Sequence, residues 1–185
     1  GAHLQRRFAR FMEKPRSLLT VQAALLQPNI DQYKKWTTQF EAEINQTLAD
    51  MGQTLAGTNT YLAVWPESAV PGSLTDDYYF ELFKDIGQKS GAYQIVGSNI
   101  FSDMSEQYVG AYLLTPQGDG LSAYRKVKLV PFCEFIPFEW LLKYVVKDIE
   151  VMGALGSFLP GPLDQPLLEA GGVKVGSTVC YESIF

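Results

Sequence analysis

The sequence predicts an α/β protein with a largely buried sheet, because segments with strand character alternate with segments of helical periodicity. Three short apolar runs, at residues 21–27, 61–65 and 93–98, are typical of buried strands. Two helical patterns separate them, at residues 31–51 and from the Thr75-Asp76-Asp77 cap to about Lys89. A length of 185 residues fits one domain, and a hydrophobic fraction of 46% provides for a packed core.

Turn residues and apolar spacing justify the elements in order. The first strand is closed by Pro28-Asn29 and the second by Pro66. In the first helix, an apolar face is formed at helical spacing by Trp36, Phe40, Ile44 and Leu48. Downstream we predict a hairpin at 108–114 and 121–124, a Pro- and Phe-rich loop at 129–137, a short helix at 138–147, and a last hairpin at 167–168 and 174–179.

Charge and composition exclude several classes of function. The net charge is −5, but the charges are unevenly distributed. Residues 1–19 form a basic N-terminal arm, and the rest of the chain is acidic. The cations of the arm are Arg6, Arg7, Arg10, Lys14 and Arg16. Nucleic-acid binding is therefore not expected of the body of the domain. Two interpretations of the arm are open: it contacts anionic lipid headgroups, or it is a solvated terminus left from a longer protein.

Membrane spans and metal sites are not predicted within these residues. No run of about eighteen apolar residues occurs, which is the length a bilayer-spanning helix needs. The 2 cysteines lack the C-x₂-C and Cys/His spacings of zinc sites, so no metal is expected.

Cys180 is the first candidate nucleophile. It follows an apolar, β-branched run that predicts a buried strand with the thiol at its end. The only histidine, His3, lies in the basic arm, so the chemistry favours a carboxylate and a lysine as partners of the thiol. The alternative is that Cys180 is a buried core thiol, since free cysteines are often buried.

Glu67 and Lys126 are the matching partners, because both follow predicted strands. Ligands of open α/β sheets bind beyond strand ends. A carboxylate there can remove the thiol proton, and a lysine can stabilise the thiolate and then a tetrahedral oxyanion. Each residue also has a structural interpretation: Glu67 caps a turn, and Lys126 is a solvated charge on an edge strand.

Three local motifs resemble those of the nitrilase, or carbon–nitrogen hydrolase, superfamily. They are W-P-E-S-A at 65–69, Y-R-K-V-K-L-V-P-F-C-E-F-I-P at 124–137 and C-Y-E-S at 180–183. The middle motif is most similar to the apolipoprotein N-acyltransferase family, as is A-L-L-Q-P-N-I…K-K-W at 24–36. The resemblance implies a four-layer α-β-β-α sandwich that is C-terminally incomplete here. Residues 20–185 are then a catalytic domain truncated after the nucleophile.

The resemblance also implies a Glu–Lys–Cys triad. Matched by motif, Glu67 is the general base, Lys126 stabilises the oxyanion and Cys180 is the nucleophile.

Four further residues match positions of the family. Glu134 matches a second glutamate that supports the site, and Tyr181 and Glu182 match the residues that follow the thiol. The backbone N–H of Tyr181 is expected to be a second oxyanion donor. Trp36 matches a tryptophan associated with activity, although it also fits the core-facing side of the first helix beside Phe40.

The function implied by the resemblance is acyl transfer in lipoprotein maturation. A phospholipid gives its acyl chain to a cysteine thioester, and the N-terminal diacylglyceryl-cysteine of an apolipoprotein accepts it, without a metal or organic cofactor. The full-length protein is expected in the cell inner membrane, held by segments outside this chain, with this domain on the periplasmic side. Alternatives are a soluble nitrilase-type amidase and a non-catalytic fragment that binds lipid or a partner protein.

Two positions depart from the family pattern, and one stretch has two interpretations. Cys133 stands where the family usually has glycine. A disulfide between Cys133 and Cys180 would inactivate the nucleophile. Val109-Gly110 stands where relatives often carry Asn-Ser, which removes a polar contact. The apolar stretch 140–158 is either a mobile lid that receives acyl chains or a packed helix followed by a loop.

Overall fold

A five-stranded mixed sheet forms the centre of the protein in the computed structural model, which describes residues 20–102, 106–138 and 158–184. Its strands, in spatial and chain order, are β1 (Ala23–Leu25), β2 (Leu62–Val64), β3 (Tyr93–Ser102), β4 (Glu106–Leu114) and β5 (Leu121–Arg125). The first three pair in parallel, whereas β4 and β5 continue the sheet as antiparallel strands. The predicted α/β class is therefore confirmed.

Helices cover one face of this sheet. They are α1 (Gln32–Lys35), α2 (Glu41–Gln53) and α3 (Asp77–Ser90), with a 3₁₀ turn at Thr38–Phe40. The rings of Phe83 on α3 and Trp65 beyond β2 meet edge to face, with centroids 5.0 Å apart. Both side chains are buried, and burial of a side chain of this size contributes about 1.5–3 kcal/mol. This contact fixes α3 against the end of β2.

The predicted helix at 31–51 is wrong as a continuous element, because it is interrupted after Lys35. Thr37 has extended backbone angles, and its hydroxyl donates to the carbonyl oxygen of Tyr33 at 3.2 Å. Such a local bond competes with the helical ladder. Trp36 therefore leaves the apolar face and is 54% exposed, so its interpretation as a core residue is also wrong.

A hairpin covers the opposite face of the sheet. Its strands, β6 (Leu168–Ala170) and β7 (Val173–Val175), are antiparallel. Leu168 and Ala170 are buried in a second apolar cluster, which they form with the sheet residues Ile95, Ala111 and Leu113. The described layers are thus helix, sheet and hairpin. Within these layers, no helix has the length and apolarity needed to cross a bilayer.

Two predicted strands differ from the structure. β1 is not buried: Leu25 is 82% exposed, because β1 lies at the edge of the sheet. The last strand ends at Val175, so residues 176–179 are unpaired and Cys180 starts a 3₁₀ helix, Cys180–Ile184, instead of ending a strand. The predicted helix at 138–147 and the stretch 140–158 lie almost wholly outside the described residues, and their interpretations stay predictions.

Candidate active site

The Cys180 thiol is presented at a sharp bend of the backbone. Cys180 has a φ of +57° and an exposed side chain, so the core-thiol alternative is wrong. A left-handed conformation at a residue other than glycine costs on the order of 1–3 kcal/mol and is concentrated at functional sites. The bend lies where the segment that follows β7 enters the 3₁₀ helix, which begins at this residue.

Glu67 lies on a turn that rests directly on β3. On either side of the turn, the backbone N–H of Trp65 donates to Ile95 O and that of Ala69 donates to Gly97 O, both at 2.8 Å. A Cβ atom at Gly97 would lie 2.4 Å from the carbonyl oxygen of Pro66 and 2.7 Å from Cα of Glu67. The close approach therefore requires glycine. It leaves the Glu67 side chain exposed at the end of β2.

Cys180 and Glu67 line the same cavity, which has a volume of about 400 Å³. Its walls are mostly apolar and come from the sheet and from the segment that precedes the thiol. They include Val64, Ile95, Gly97, Gly110 and Ala111, together with residues 175–179. The structure therefore brings together a thiol and a carboxylate that are far apart in the sequence, with room beside them for a substrate group.

Lys126 is completely buried and bound to Glu134. Its Nζ lies 2.5 Å from Oε1 of Glu134, and Oε2 of the same carboxylate accepts the N–H of Val130 at 2.8 Å. A buried charge requires such a partner, because desolvation is costly. The interpretation of Lys126 as a solvated edge charge is wrong. Lys126 is not among the described residues that line the cavity of Cys180 and Glu67.

Glu182 joins the segment after Lys126 to the segment before Cys180. One carboxylate oxygen accepts the N–H groups of Val127 and Lys128, at 2.8 and 3.2 Å. The other accepts the N–H of Val179 at 3.1 Å. Burial raises the pKa of Glu182, but the Tyr124 hydroxyl and these backbone donors outweigh it and hold the pKa below its ordinary value. The ionised carboxylate of Glu182 thus holds in place the backbone segment that leads to the Cys180 thiol.

The other two residues matched by motif lie outside this cavity. Tyr181 follows the thiol directly, and its side chain is 62% exposed. Trp36 lines a second cavity of about 220 Å³, together with Lys35, Asp76 and Tyr79. In the described structure, Trp36 and Cys180 therefore belong to different cavities.

Lys35 is a residue that the sequence reasoning missed. Its Nζ donates to the carbonyl oxygen of Ser68, directly after Glu67. Lys35 and Glu67 also line a third cavity, of about 270 Å³. Burial lowers the pKa of Lys35, whereas the charge of Glu67 acts to raise it. The K-K-W motif contains this lysine but does not indicate its role, because its acceptor lies 33 positions away.

The two cysteines are free, and the described part of the chain contains no cluster suited to a metal ion. Cys133 and Cys180 are both exposed thiols, so the disulfide considered from the sequence is not formed. No group of three or more His, Cys, Asp and Glu side chains within the described ranges could hold a metal.

The chain belongs to the carbon–nitrogen hydrolase family, whose model matches residues 22–185. The solved carbon–nitrogen hydrolase from Helicobacter pylori G27 is similar in fold, with a TM-score of 0.58 at 18% identity over 89% of this chain and 53% of that chain. The nitrilase-like fold expected from the motifs is therefore confirmed.

Curated relatives within this family share more of the sequence. The chain is 35% identical over 167 residues to an apolipoprotein N-acyltransferase of Geobacter metallireducens, covering 88% of this chain and 31% of the relative. It is 33% identical over 172 residues to an apolipoprotein N-acyltransferase of Pseudomonas syringae pv. tomato, covering 89% of this chain and 32% of the relative. The chain thus spans about a third of the length of these relatives.

Proposed function

We propose that this chain is the catalytic part of an N-acyltransferase that moves a fatty acyl chain from a phospholipid to the N-terminal diacylglyceryl-cysteine of an apolipoprotein. The observation that carries the proposal is the shared cavity of the Cys180 thiol and the Glu67 carboxylate. The similarity to proteins named apolipoprotein N-acyltransferase supports the choice of substrates.

In the first half-reaction, the sulfur of Cys180 attacks the carbonyl carbon of the phospholipid ester while Glu67 accepts the thiol proton. The tetrahedral oxyanion collapses, the ester C–O bond breaks, and the lysophospholipid leaves as an alcohol with the proton that Glu67 returns. The acyl group remains on Cys180 as a thioester. General acid–base help of this kind contributes about 10²- to 10⁴-fold to the rate.

In the second half-reaction, the α-amino nitrogen of the diacylglyceryl-cysteine attacks the thioester carbonyl. Glu67 takes a proton from the amine, the C–S bond breaks, and the thiolate of Cys180 recovers that proton. The products are an amide and the free enzyme. The scheme requires ping-pong kinetics, because the first product leaves before the acceptor reacts.

The oxyanion is stabilised by the backbone N–H of Tyr181 and by the charge of Lys126. Tyr181 is suitable because it directly follows the nucleophile at the bend. Lys126 is fully buried and paired with Glu134, so we expect its charge to act through a medium of low dielectric constant. Glu182 supports this role because it joins the chain next to Lys126 to the chain next to Cys180.

The test is to incubate the full-length protein with phospholipid alone and to look for a hydroxylamine-labile acyl group on Cys180 by peptide mass spectrometry. We expect the acyl group in the natural protein and in the matched variant Cys133→Ala, and we expect none in Cys180→Ala. A full-length protein that is folded and never carries the acyl group would refute the thioester mechanism.

The alternatives give different results in the same assay. An amidase would leave phospholipid intact and would hydrolyse a small amide in a Cys180-dependent reaction. A non-catalytic fragment would bind lipid equally well with Cys180→Ala. Addition of a diacylglyceryl-cysteine peptide to the acylated protein completes the test, because only the acyltransferase transfers the acyl chain to its amino group.

Attachment to the cell inner membrane, with this domain on the periplasmic side, belongs to the same proposal. It is supported by the similarity to the named relatives. Protease treatment of spheroplasts tests it, because only a domain on the periplasmic side is cleaved while the inner membrane is intact.

A further inference from the structure

We infer that Lys35 is a positioning residue for Glu67: it holds the turn that carries the carboxylate and presents a cation to it. The inference rests on the proposed role of Glu67 as the general base. It concerns a residue that is not part of the Glu–Lys–Cys triad, and it begins from a contact between α1 and the turn after β2.

The hydrogen bond from Lys35 acts on the backbone next to Glu67. Lys35 is the last residue of α1, and its Nζ donates to the carbonyl oxygen of Ser68. Ser68 has a φ of +49°, a conformation that L-residues other than Asn and Asp adopt infrequently. A lysine bonded to that carbonyl stabilises the bend and, with it, the direction in which Glu67 leaves the backbone.

The position of Glu67 connects Lys35 with the thiol. Glu67 lines both the cavity that contains Cys180 and the cavity that contains Lys35. Glu67 is therefore a residue that the cavity of the nucleophile and the cavity of Lys35 have in common. Lys126 is paired with Glu134 and does not line the cavity of Cys180 and Glu67, whereas Lys35 lines a cavity together with Glu67.

Other charged groups also face Lys35. Glu41 of α2 and Asp76 before α3 line the second cavity with Lys35, together with Tyr79. The ring of Trp36 lies 5.6 Å from the ammonium nitrogen. Burial lowers the pKa of Lys35 and Glu67 opposes this effect, which is expected of a half-buried cation beside a carboxylate.

The neighbouring Lys34 provides a matched control. Its Nζ lies 3.4 Å from the Glu43 carboxylate and 4.9 Å from the centroid of the Phe40 ring. It therefore points to α2 and not to the turn of Glu67. A surface pair of this kind contributes about 0–1 kcal/mol. The two adjacent lysines thus have different surroundings, and of the two it is Lys35 that contacts the turn that carries Glu67.

The experiment uses full-length protein in a Cys133→Ala background and compares Lys35→Met, Lys35→Arg and Lys34→Met. The acylation of Cys180 is followed at several phospholipid concentrations. We expect Lys35→Met to lower the maximum rate about 10- to 100-fold, the loss expected from a misplaced base. The half-saturating lipid concentration should stay the same, because Lys35 does not bind the lipid. Lys35→Arg should recover most of the rate, and Lys34→Met should equal the parent protein.

A wild-type acylation rate in Lys35→Met, or an equal loss in Lys35→Met and Lys35→Arg, would overturn the inference. If Lys35→Met does not fold, Lys35→Gln keeps a side-chain donor without the charge and gives the same comparison with Lys35→Arg.

A second readout separates this inference from the proposed function. The rate at which iodoacetamide alkylates Cys180 depends on the base beside the thiol but on no lipid, and Glu67→Gln is its reference. Slower alkylation in both Glu67→Gln and Lys35→Met supports the role of Lys35 even if no acyl-enzyme forms. Slower alkylation in Glu67→Gln alone rejects it.

Discussion

Glu182 shows how one buried carboxylate can organise two segments of a site. It accepts backbone N–H groups from two segments, from Val127 and Lys128 after Lys126 and from Val179 before Cys180. An acceptor that serves several donors is replaced poorly by a neutral amide, which also brings donors of its own. The motif identified the residue, but the sequence could not show which backbone groups it binds.

The low pKa of Glu182 makes its contribution to stability dependent on pH. Because the folded pKa lies below the ordinary value of 4.5, the ionised form stabilises the fold above that value. This contribution is lost as the pH falls through the folded pKa. We therefore expect Glu182→Gln to be less stable than the natural protein at pH 7 and the difference to shrink in acid. Urea unfolding at pH 7, 5 and 3 measures it, and a difference that grows in acid would contradict the sign.

The pair of Lys126 and Glu134 predicts a large loss when one partner is removed. Glu134→Gln leaves the lysine buried without a counter-charge, which costs about 3–5 kcal/mol of unfolding free energy. The double variant Lys126→Met/Glu134→Leu removes both charges and should recover part of the loss. Glu81→Gln is the control, since the exposed pair of Glu81 and Lys84 contributes about 0–1 kcal/mol. Equal losses in Glu134→Gln and Glu81→Gln would contradict the burial of the pair.

Local motifs in the sequence predicted the site residues that lie within them. They did not predict roles that depend on contacts between distant residues. Glu67 and Cys180 were matched by local motifs, and they line one cavity. Trp36 was assigned by spacing to a helix face, and this failed because Thr37 interrupts the helix. Lys35 lies within the K-K-W motif, but the sequence gives no sign of its role, since its acceptor is a backbone carbonyl that only the fold brings near.

At the level of elements, the turn between β2 and the following segment depends on the strand beside it. Gly97 of β3 allows the turn to approach so closely that a side chain has no space. The sequence predicted both strands, but it gave no sign that this glycine is required, because nothing local distinguishes it from the chain's other glycines. Contacts between elements, more than propensities within them, position the carboxylate.

Gly97→Ala tests that dependence. The added methyl group overlaps Pro66 and Glu67, and overpacking of this kind costs about 1–3 kcal/mol. We also expect slower acylation of Cys180, because the turn must move away from β3. Gly176→Ala is the control for stability, since its nearest neighbour, a methyl carbon of Leu167, is 3.9 Å from the added Cβ. Chemical unfolding and the acylation assay check both expectations, and full stability in Gly97→Ala would refute them.

The strand boundaries illustrate a further limit of sequence reasoning. The apolar run at 21–27 predicts a buried strand, yet only Leu26 of its leucines is buried, because β1 is an edge strand. Periodicity reports the character of a segment and not its place in a sheet. The run before Cys180 failed similarly, since β7 ends at Val175 and the rest of the run lines the cavity.

For the whole molecule, the motifs predicted more than the periodicity did. Alternating elements indicate an α/β protein, but many folds share that order. The family assignment rests on the motifs and is confirmed by the match over residues 22–185. The division into an arm at 1–19 and a domain at 20–185 stays a prediction, as does the role of the stretch 140–158.

The hairpin of β6 and β7 has a consequence for how the protein could be tuned. Cys180 follows this hairpin in the chain, whereas Glu67 follows β2 of the sheet that the hairpin covers. We therefore expect the apolar filling between hairpin and sheet, to which Leu168 and Ala170 contribute, to influence the spacing of nucleophile and base. A change of one methyl group in that filling would adjust the rate of the chemistry without altering any group that meets the lipid or the protein acceptor.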